Sequence, residues 1–351
     1  MPHFLAELMN QKVSQFRNII MSLFLNNNPV VSLPETPLGL YMALSKGKIR
    51  PHKFWNSSHF RLKFFIRSFL TPVKTYQLLN LITSHPASYE LLQNQPRLPC
   101  RVHRPYLSAA LSVRERAEAI RFHYRTVTTF LGDEGFRQHI RPDGICLSRF
   151  AGKDGHPFTL EFVSTYRLDK EGEASVILRN SDGQMLAEIT FVLCIRGAQR
   201  SLIIGGLQGP NGENTQALIQ QATKNLYGLF PKRLVLESLT QIAYLLSVER
   251  ISAVSNRLHV YQSVRYKDRI KHLHADYNSF WEMSGGKLEQ DGFYSIPLEV
   301  ARKKLEEVPS KKRAEYRRRY ELADVVSAQT HLTLTRLTSS LNLPERPWSD
   351  V

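Results

Sequence analysis

Leu202–Leu229, LIIGGLQGPNGENTQALIQQATKNLYGL, is the stretch that decides how this chain folds. An apolar run with Ile203, Ile204 and Leu207 enters a glycine-rich bend of Gly205, Gly206, Gly209 and Gly212, together with Pro210 and Asn211. Asn214 stands where a helix N-cap is expected, because its side-chain oxygen can accept from an unpaired first-turn amide. Leu218, Ile219, Ala222, Leu226 and Leu229 recur on one helical face, and Gly228 with Pro231 ends the run. A glycine bend that opens a helix offers free N–H donors at a positive dipole end, which suits a phosphate or another anion. An ordinary strand–helix corner uses the same residues. The pattern is not a Walker A loop, since no Gly-Lys-Ser/Thr follows, and it is not the dinucleotide GxGxxG.

Upstream of the bend the sequence is β-rich. Gly144–Phe150, Phe158–Leu168, Ala174–Arg179, Met185–Ile195 and Ser201–Ile204 are short strand-like runs joined by turn chemistry: Asp169-Lys170-Glu171-Gly172, Ser181-Asp182-Gly183 and Gly197-Ala198-Gln199. They predict an antiparallel meander with Leu160, Phe162, Ile177, Ile189, Phe191 and Leu193 on an alternating buried face. Downstream, a second helix over Lys232–Ser247 precedes a strand, Arg250–Ser255, that should rejoin the sheet beside the one that left it. A last short strand is expected over Gly292–Pro297. The fold class is therefore α+β: a helical N-terminal region, a central antiparallel meander, and a strand–glycine loop–helix crossover.

Residues 1–100 read as helices separated by loops, 101–300 as the α+β core, and 301–351 as a basic helix with a polar tail past about 325. Phe4, Leu5, Leu8, Val13, Phe16, Ile19 and Ile20 make a helical stripe, and a short helix follows over Leu38–Leu44. Phe54–Leu70 contains RLKFFIRSFL, with Phe60, Phe64, Phe65 and Phe69 beside Arg61, Lys63 and Arg67. It reads either as a helix lying on an anionic membrane surface or as one docked on the core with a basic face outward. The helical style continues over Val73–Leu92, interrupted at Pro86. Ser108–Leu131 is helical again, with Leu111, Ala117, Ile120, Tyr124, Val127 and Leu131 in phase and His123 among them. Arg302–Arg319 carries a basic face, by default a solvated one.

Composition bounds the function. At 351 residues, 42% hydrophobic and 22% charged, the chain is that of a folded protein and not of a disordered one. Its three cysteines, Cys100, Cys146 and Cys194, are far apart, so neither a disulfide framework nor a zinc site is expected, and a reducing compartment fits. The N-terminal segment is interrupted by Glu7, Lys12 and Arg17, unlike a cleavable signal, and no run approaches the roughly 20 apolar residues of a membrane span. A cytoplasmic protein, peripheral at a membrane, is the expectation. The net charge of +16 calls for an anionic partner: an anionic membrane surface, a phosphorylated ligand or nucleic acid. Nucleic acid is the least favoured, because no helix-turn-helix, zinc or RNP-like signature accompanies the charge.

GGLQGPNG, the run Thr223–Lys232, Ala253-Val254-Ser255-Asn256 with His259-Val260-Tyr261, and Asp276–Trp281 together resemble the bacterial VirK/YbjX family. Arg104-Pro105-Tyr106-Leu107 and His123-Tyr124 extend the likeness, which covers about residues 50–320. The resemblance implies a role at the bacterial envelope: virulence, placement of a surface protein, and tolerance of antimicrobial peptides, with membrane-associated LapB-like relatives. It implies no particular reaction.

Two mechanisms follow. A meander, then Gln208 and a glycine bend, then a helix, is similar to the GNAT-type acyltransferases, where amides after the fourth strand hold the pyrophosphate of an acyl-CoA donor. The usual spacing is Gln/Arg-x-x-Gly-x-Gly/Ala, whereas Gln208 here is followed by Gly209 and Gly212, and Pro210 removes one donor. On that reading Gln208, Gly209, Asn211 and Gly212 cradle phosphate and His259 or His123 is the general base, while Tyr277 or Tyr261 protonates the leaving thiolate. No metal is called for. The alternative is a non-enzymatic envelope factor that binds the inner membrane face or a protein client through Phe54–Leu70 and Arg302–Arg319.

Overall fold

A computed structural model describes residues 33–266 and 276–339. By its contacts the chain divides at Pro34, and the unit from Glu35 onward holds every element that follows. The helix expected over Phe4–Ile20 and the C-terminal PERPWSDV lie outside the described residues.

The helical region is built from well-capped pieces. In α1 (Pro37–Lys46) Thr36 accepts from the Gly39 amide, Pro37 pre-sets the first turn, and Gly47 closes the helix in the left-handed region at φ 73°. Helix α2 (Ser58–Leu70) starts on Ser57, and of its 13 residues only Phe64 and Ser68 are buried. Helices α3 (Pro72–Thr83) and α4 (Ser88–Asn94) follow, separated at Pro86 as the sequence predicts. Trp55 is fully buried and donates to the Pro96 carbonyl at 2.7 Å, which ties the start of this region to its end.

Helix α5 (Val113–Ile140) begins at a Ser112–Glu115 capping box, five residues later than the periodicity suggests, and Gly132 interrupts its helical dihedrals. One face buries Ala117, Ile120, Tyr124, Val127 and Leu131. The strands come next: β1 (Ile145–Ala151), β2 (Pro157–Val163), β3 (Ala174–Arg179), β4 (Met185–Arg196) and β5 (Gln199–Gln208). Helices α6 (Thr215–Asn225) and α7 (Pro231–Leu245) make the crossover to β6 (Arg250–Val254). Helix α8 (Tyr277–Met283), β7 (Lys287–Leu288), β8 (Phe293–Ile296) and α9 (Ser310–Ser339) complete the described chain.

The eight strands form one sheet in the order β1-β2-β3-β4-β5-β6-β8-β7. Every neighbouring pair is antiparallel except β5–β6, which is parallel because two helices carry the chain back to the same end. The meander and the crossover are thus as the sequence predicts. The one-sided alternation is not. Strand β4 is buried from Leu186 through Cys194 without a break, since α5 packs on it from one side and α7 from the other. A strand covered on both faces is apolar at successive positions instead of alternate ones.

Three local expectations are corrected. Gly205 and Gly206 belong to β5 itself, so the bend begins only at Gly209. Asn214 does precede α6, but at φ 61° and with no side-chain cap bond. The polar tail expected past 325 is helical through Ser339 and buries Val326, Thr330 and Leu334 against the body. No helix among the described residues is long and apolar enough to cross a membrane.

Candidate functional site

Strands β5 and β6 are paired from Ser201–Arg250 to Ile204–Ala253 and then part. The parting coincides with a bulge: Phe191 of β4 faces Ile204 while Thr190 faces Gly206, which leaves Gly205 as the extra residue. Ligand clefts of α/β sheets form where neighbouring parallel strands end and their connections diverge. Here the first residue of α8 fills the opening. The Leu207 amide, left without a β6 carbonyl, donates to the Tyr277 hydroxyl at 3.2 Å. Trp281, one turn on, donates through Nε1 to the Val254 carbonyl at 2.9 Å, which fixes α8 over the end of β6.

The glycines in β5 have a second purpose. A Cβ on Gly205 would collide with the Glu171 carbonyl, and one on Gly206 with the Glu171 carboxylate. Glycine inside an apolar strand therefore marks the close approach of the segment leading into β3. Glu171 is 1% exposed and lies on that glycine floor. Gln208 Nε2 donates to both of its oxygens, at 3.1 and 3.0 Å, and His259 Nε2 lies 4.0 Å from Oε1, too far for a hydrogen bond.

Four of the residues singled out from the sequence, Gln208, His259, Tyr261 and Tyr277, thus gather around a carboxylate that was not. The His259 ring stacks on Tyr277 with centroids 5.3 Å apart and meets the Tyr261 ring edge-on at 4.8 Å. Its Nδ1 accepts from the Tyr261 amide at 3.3 Å, which places the proton of the neutral ring on Nε2, buried and without a hydrogen-bond partner. Ser108 anchors the same loop by donating to the Leu258 carbonyl at 3.0 Å.

Burial sets the proton affinities of the cluster. It pushes the Glu171 carboxyl up to about 7, against the opposing pull of Gln208, Lys170, Tyr261 and Arg167. It lowers His259 to about 4. It raises the Tyr277 hydroxyl, and the Glu171 charge adds to that rise while the Leu207 amide opposes it. At neutral pH the imidazole is therefore neutral and the phenol protonated.

His123 is not part of this group. Its ring is buried under α5, Nδ1 accepts from the Leu193 amide at 3.2 Å, and burial, then His139 and Arg101, depress its proton affinity strongly. The other bend residues sit at the mouth. Gly209 is half-buried, and Asn211 and Gly212 are exposed. A Cβ on Gly209 would lie 3.8 Å from the Lys232 side chain, so an ammonium stem crosses the bend where an anion would enter. Burial lowers the Lys232 proton affinity. Among the described residues no group of three or more His, Cys, Asp or Glu side chains is arranged to hold a metal.

Glu171 escaped the sequence reading because Asp-Lys-Glu-Gly is turn chemistry. The available signal was the pair Gly205-Gly206 inside an otherwise apolar strand, which asks what lies against it.

The profile of a family described as "Protein of unknown function (DUF535)" matches residues 53–331. The chain is 44% identical over 312 residues to the "Uncharacterized protein YbjX" of Escherichia coli K12, covering 87% of this chain and 94% of that protein. An uncharacterized protein of Haemophilus influenzae is 27% identical over 213 residues, 61% of this chain and 69% of its own length. A protein of Mannheimia haemolytica named "Membrane protein LapB" is 23% identical over 197 residues, covering 56% of this chain and 83% of that one. No solved structure matches. The profile spans the helices from α2 onward, the whole sheet, the Glu171 cluster and most of α9, and on that match the chain belongs to the DUF535 family, together with the YbjX-like proteins.

Proposed function

We propose that this protein is an acyltransferase-type enzyme that acts on an envelope component with an acyl-CoA-type donor. The observation that carries the reading is the Glu171–Gln208–His259–Tyr277 cluster at the place where β5 and β6 part. A carboxylate that titrates near 7 is suited to take a proton from an attacking amine or hydroxyl at neutral pH. In the transfer step the acceptor oxygen or nitrogen bonds to the acyl carbon and its proton passes to Glu171. The thioester bond breaks, and the departing sulfur takes the Tyr277 proton. Gln208 holds both carboxylate oxygens in place, and the neutral His259 Nε2–H faces the same oxygen from 4.0 Å. Outside, the amides of Gly209, Asn211 and Gly212 with the Lys232 ammonium form the bend that suits the donor's phosphates, Pro210 contributing none.

The test is thermal unfolding with acetyl-CoA and with a long-chain acyl-CoA. A ligand that binds only the folded state raises Tm by mass action. The expected rise is CoA-specific and is lost in Gln208→Ala and in Gly212→Pro. No rise with either thioester rejects the reading.

A second reading, a peripheral membrane factor assisting surface-protein placement or antimicrobial-peptide tolerance, is supported by α2. Leu62, Phe65, Ile66 and Phe69 recur at i, i+3, i+4 and i+7 and are all exposed, which is the pattern of a helix lying in a membrane interface. On this reading the protein works at the cytoplasmic face of the inner membrane. Salt-sensitive sedimentation with anionic vesicles, without any CoA effect, selects it.

A further inference from the structure

Against the inner side of α2 lies a cavity of about 190 Å³, lined by Lys63, Arg67, His103, Arg104 and Arg265 with Phe60 and Phe64. That is far more than the roughly 10–15 Å³ that admits one water, so an ester-linked oxyanion with part of its hydration fits. The four cations come from three separate stretches: α2, the turn after Leu98–His103, and the segment after Tyr261. No carboxylate lines the cavity, and among the described residues none of the four has an ion-pair partner. Arg104 Nε and His103 Nδ1 are buried and unpartnered, although His103 Nε2 is bonded to the Thr75 hydroxyl at 2.9 Å.

The cations work against one another. After burial itself, Arg265 and Arg104 lower the proton affinity of Arg67, and Arg67, Arg104 and Arg265 bring His103 down to about 4. Like charges gathered in a walled cavity raise the free energy of the empty site and lower it once a compact anion enters, and guanidinium groups are shaped to bind phosphate through paired N–H donors.

Helix geometry says which phosphate. At 3.6 residues per turn, Lys63 and Arg67 fall between the buried face of Phe64 and Ser68 and the outward stripe of Leu62, Ile66 and Leu70. Phe69 and Leu70 are 65% and 77% exposed. A helix with apolar residues outermost and cations at its rim meets acyl chains and headgroups together.

We infer that the cavity lined by Lys63, Arg67, Arg104 and Arg265 is a binding site for the phosphate group of an anionic lipid, occupied when α2 lays its apolar stripe on the membrane. The site deepens the peripheral-membrane reading and does not depend on acyl transfer.

The test is sedimentation of the full chain with vesicles of phosphatidylcholine alone or with phosphatidic acid, alongside unfolding with inorganic phosphate. Wild type is expected to bind only the phosphatidic acid vesicles. Arg67→Gln with Arg265→Gln is expected to weaken that binding at least about tenfold. Arg149→Gln with Lys153→Gln, which removes equal charge from exposed positions at the β1 edge of the sheet, changes it less than about twofold, because screened surface charge contributes little at a distance. Arg265→Gln alone, at an exposed position, is the second variant and moves binding in the same direction. Equal losses from the two double variants mean diffuse attraction and overturn the site, as does unchanged binding of Arg67→Gln/Arg265→Gln, which leaves the membrane reading standing. If wild type ignores the vesicles while phosphate raises Tm, the ligand is a free phosphate compound and the lipid assignment fails. Phe69→Ser with Leu70→Ser should lose the vesicles and keep the phosphate effect; retained vesicle binding overturns the seating by α2.

Discussion

The turn Lys170-Glu171-Gly172-Glu173 sends two carboxylates, one on each side of a glycine, into two buried environments of different chemistry. Glu173 meets an arginine: Arg101 Nη1 lies 3.4 Å from Oε1, and the Tyr124 hydroxyl donates to Oε2 at 2.8 Å. Arg101 is itself held by the Asp169 carbonyl and by Gln95 Oε1 at 3.0 Å. Burial pulls the Arg101 proton affinity down while Glu173 and Asp169 carry it up, and burial raises Glu173 against the opposing pull of Arg101, Tyr124 and Tyr106. Glu171 meets the neutral donors Gln208 and Tyr261, and its proton affinity rises to about 7. A buried carboxylate paired with a guanidinium is a strut. One left with neutral donors is poised to exchange a proton.

The difference can be broken from either side, and the largest effect is expected at Arg101. Arg101→Ala leaves Glu173 buried without its cation and should cost about 3–5 kcal/mol, read from urea unfolding. A loss under about 1 kcal/mol would mean that Glu173 is held by Tyr124 alone.

The next effect has the opposite sign. The folded-state Glu171 binds its proton up to about pH 7, whereas the unfolded chain releases it near 4.5. The folded state therefore holds the extra proton between these values, and stability falls as pH rises through that window, by about 3 kcal/mol in all. Glu171→Gln should match wild type below pH 4.5 and exceed it by up to that amount above pH 7. A uniform loss at every pH would show that the carboxylate is structural after all, like Glu173.

Two smaller changes sharpen the floor and roof of the cluster. Gly206→Ala puts a methyl group into the Glu171 carboxylate and should cost roughly 1–3 kcal/mol, as overpacking does. Its effect should shrink in the Glu171→Ala background, which is a double-mutant cycle for the contact. Tyr277→Phe leaves the Leu207 amide without its acceptor, a loss on the order of 1 kcal/mol. If Tyr277 is the proton donor, the same change lowers any transfer rate far more than it lowers stability.

Much of this fold was legible. Ala174–Arg179 is a strand between the same residues in sequence and structure, and the two-helix crossover returns to a parallel partner as the order of elements requires. The break at Pro86 and the parallel rejoining of Arg250–Val254 were written in local chemistry and connectivity. The site was legible in part. Gln208, His259, Tyr261 and Tyr277 stand out by type, while His123 stands out equally and is a packed core residue.

Sequence alone determined what depends on neighbours along the chain: caps, turns, strand runs, the glycine bend and the excess of positive charge. Tertiary structure decided what depends on partners far along the chain. Gln208 and His259 reach Glu171 across 37 and 88 positions, and only their arrival turns a turn glutamate into a carboxyl that titrates near 7. Likewise, α2 is basic and aromatic in its sequence, but only packing sorted its Phe64 inward, its stripe outward, and its Lys63 and Arg67 into a pocket with Arg104 and Arg265. Local conformation follows from short-range sterics and hydrogen bonding, whereas burial and the charge balance of a site are sums over every element that closes around it.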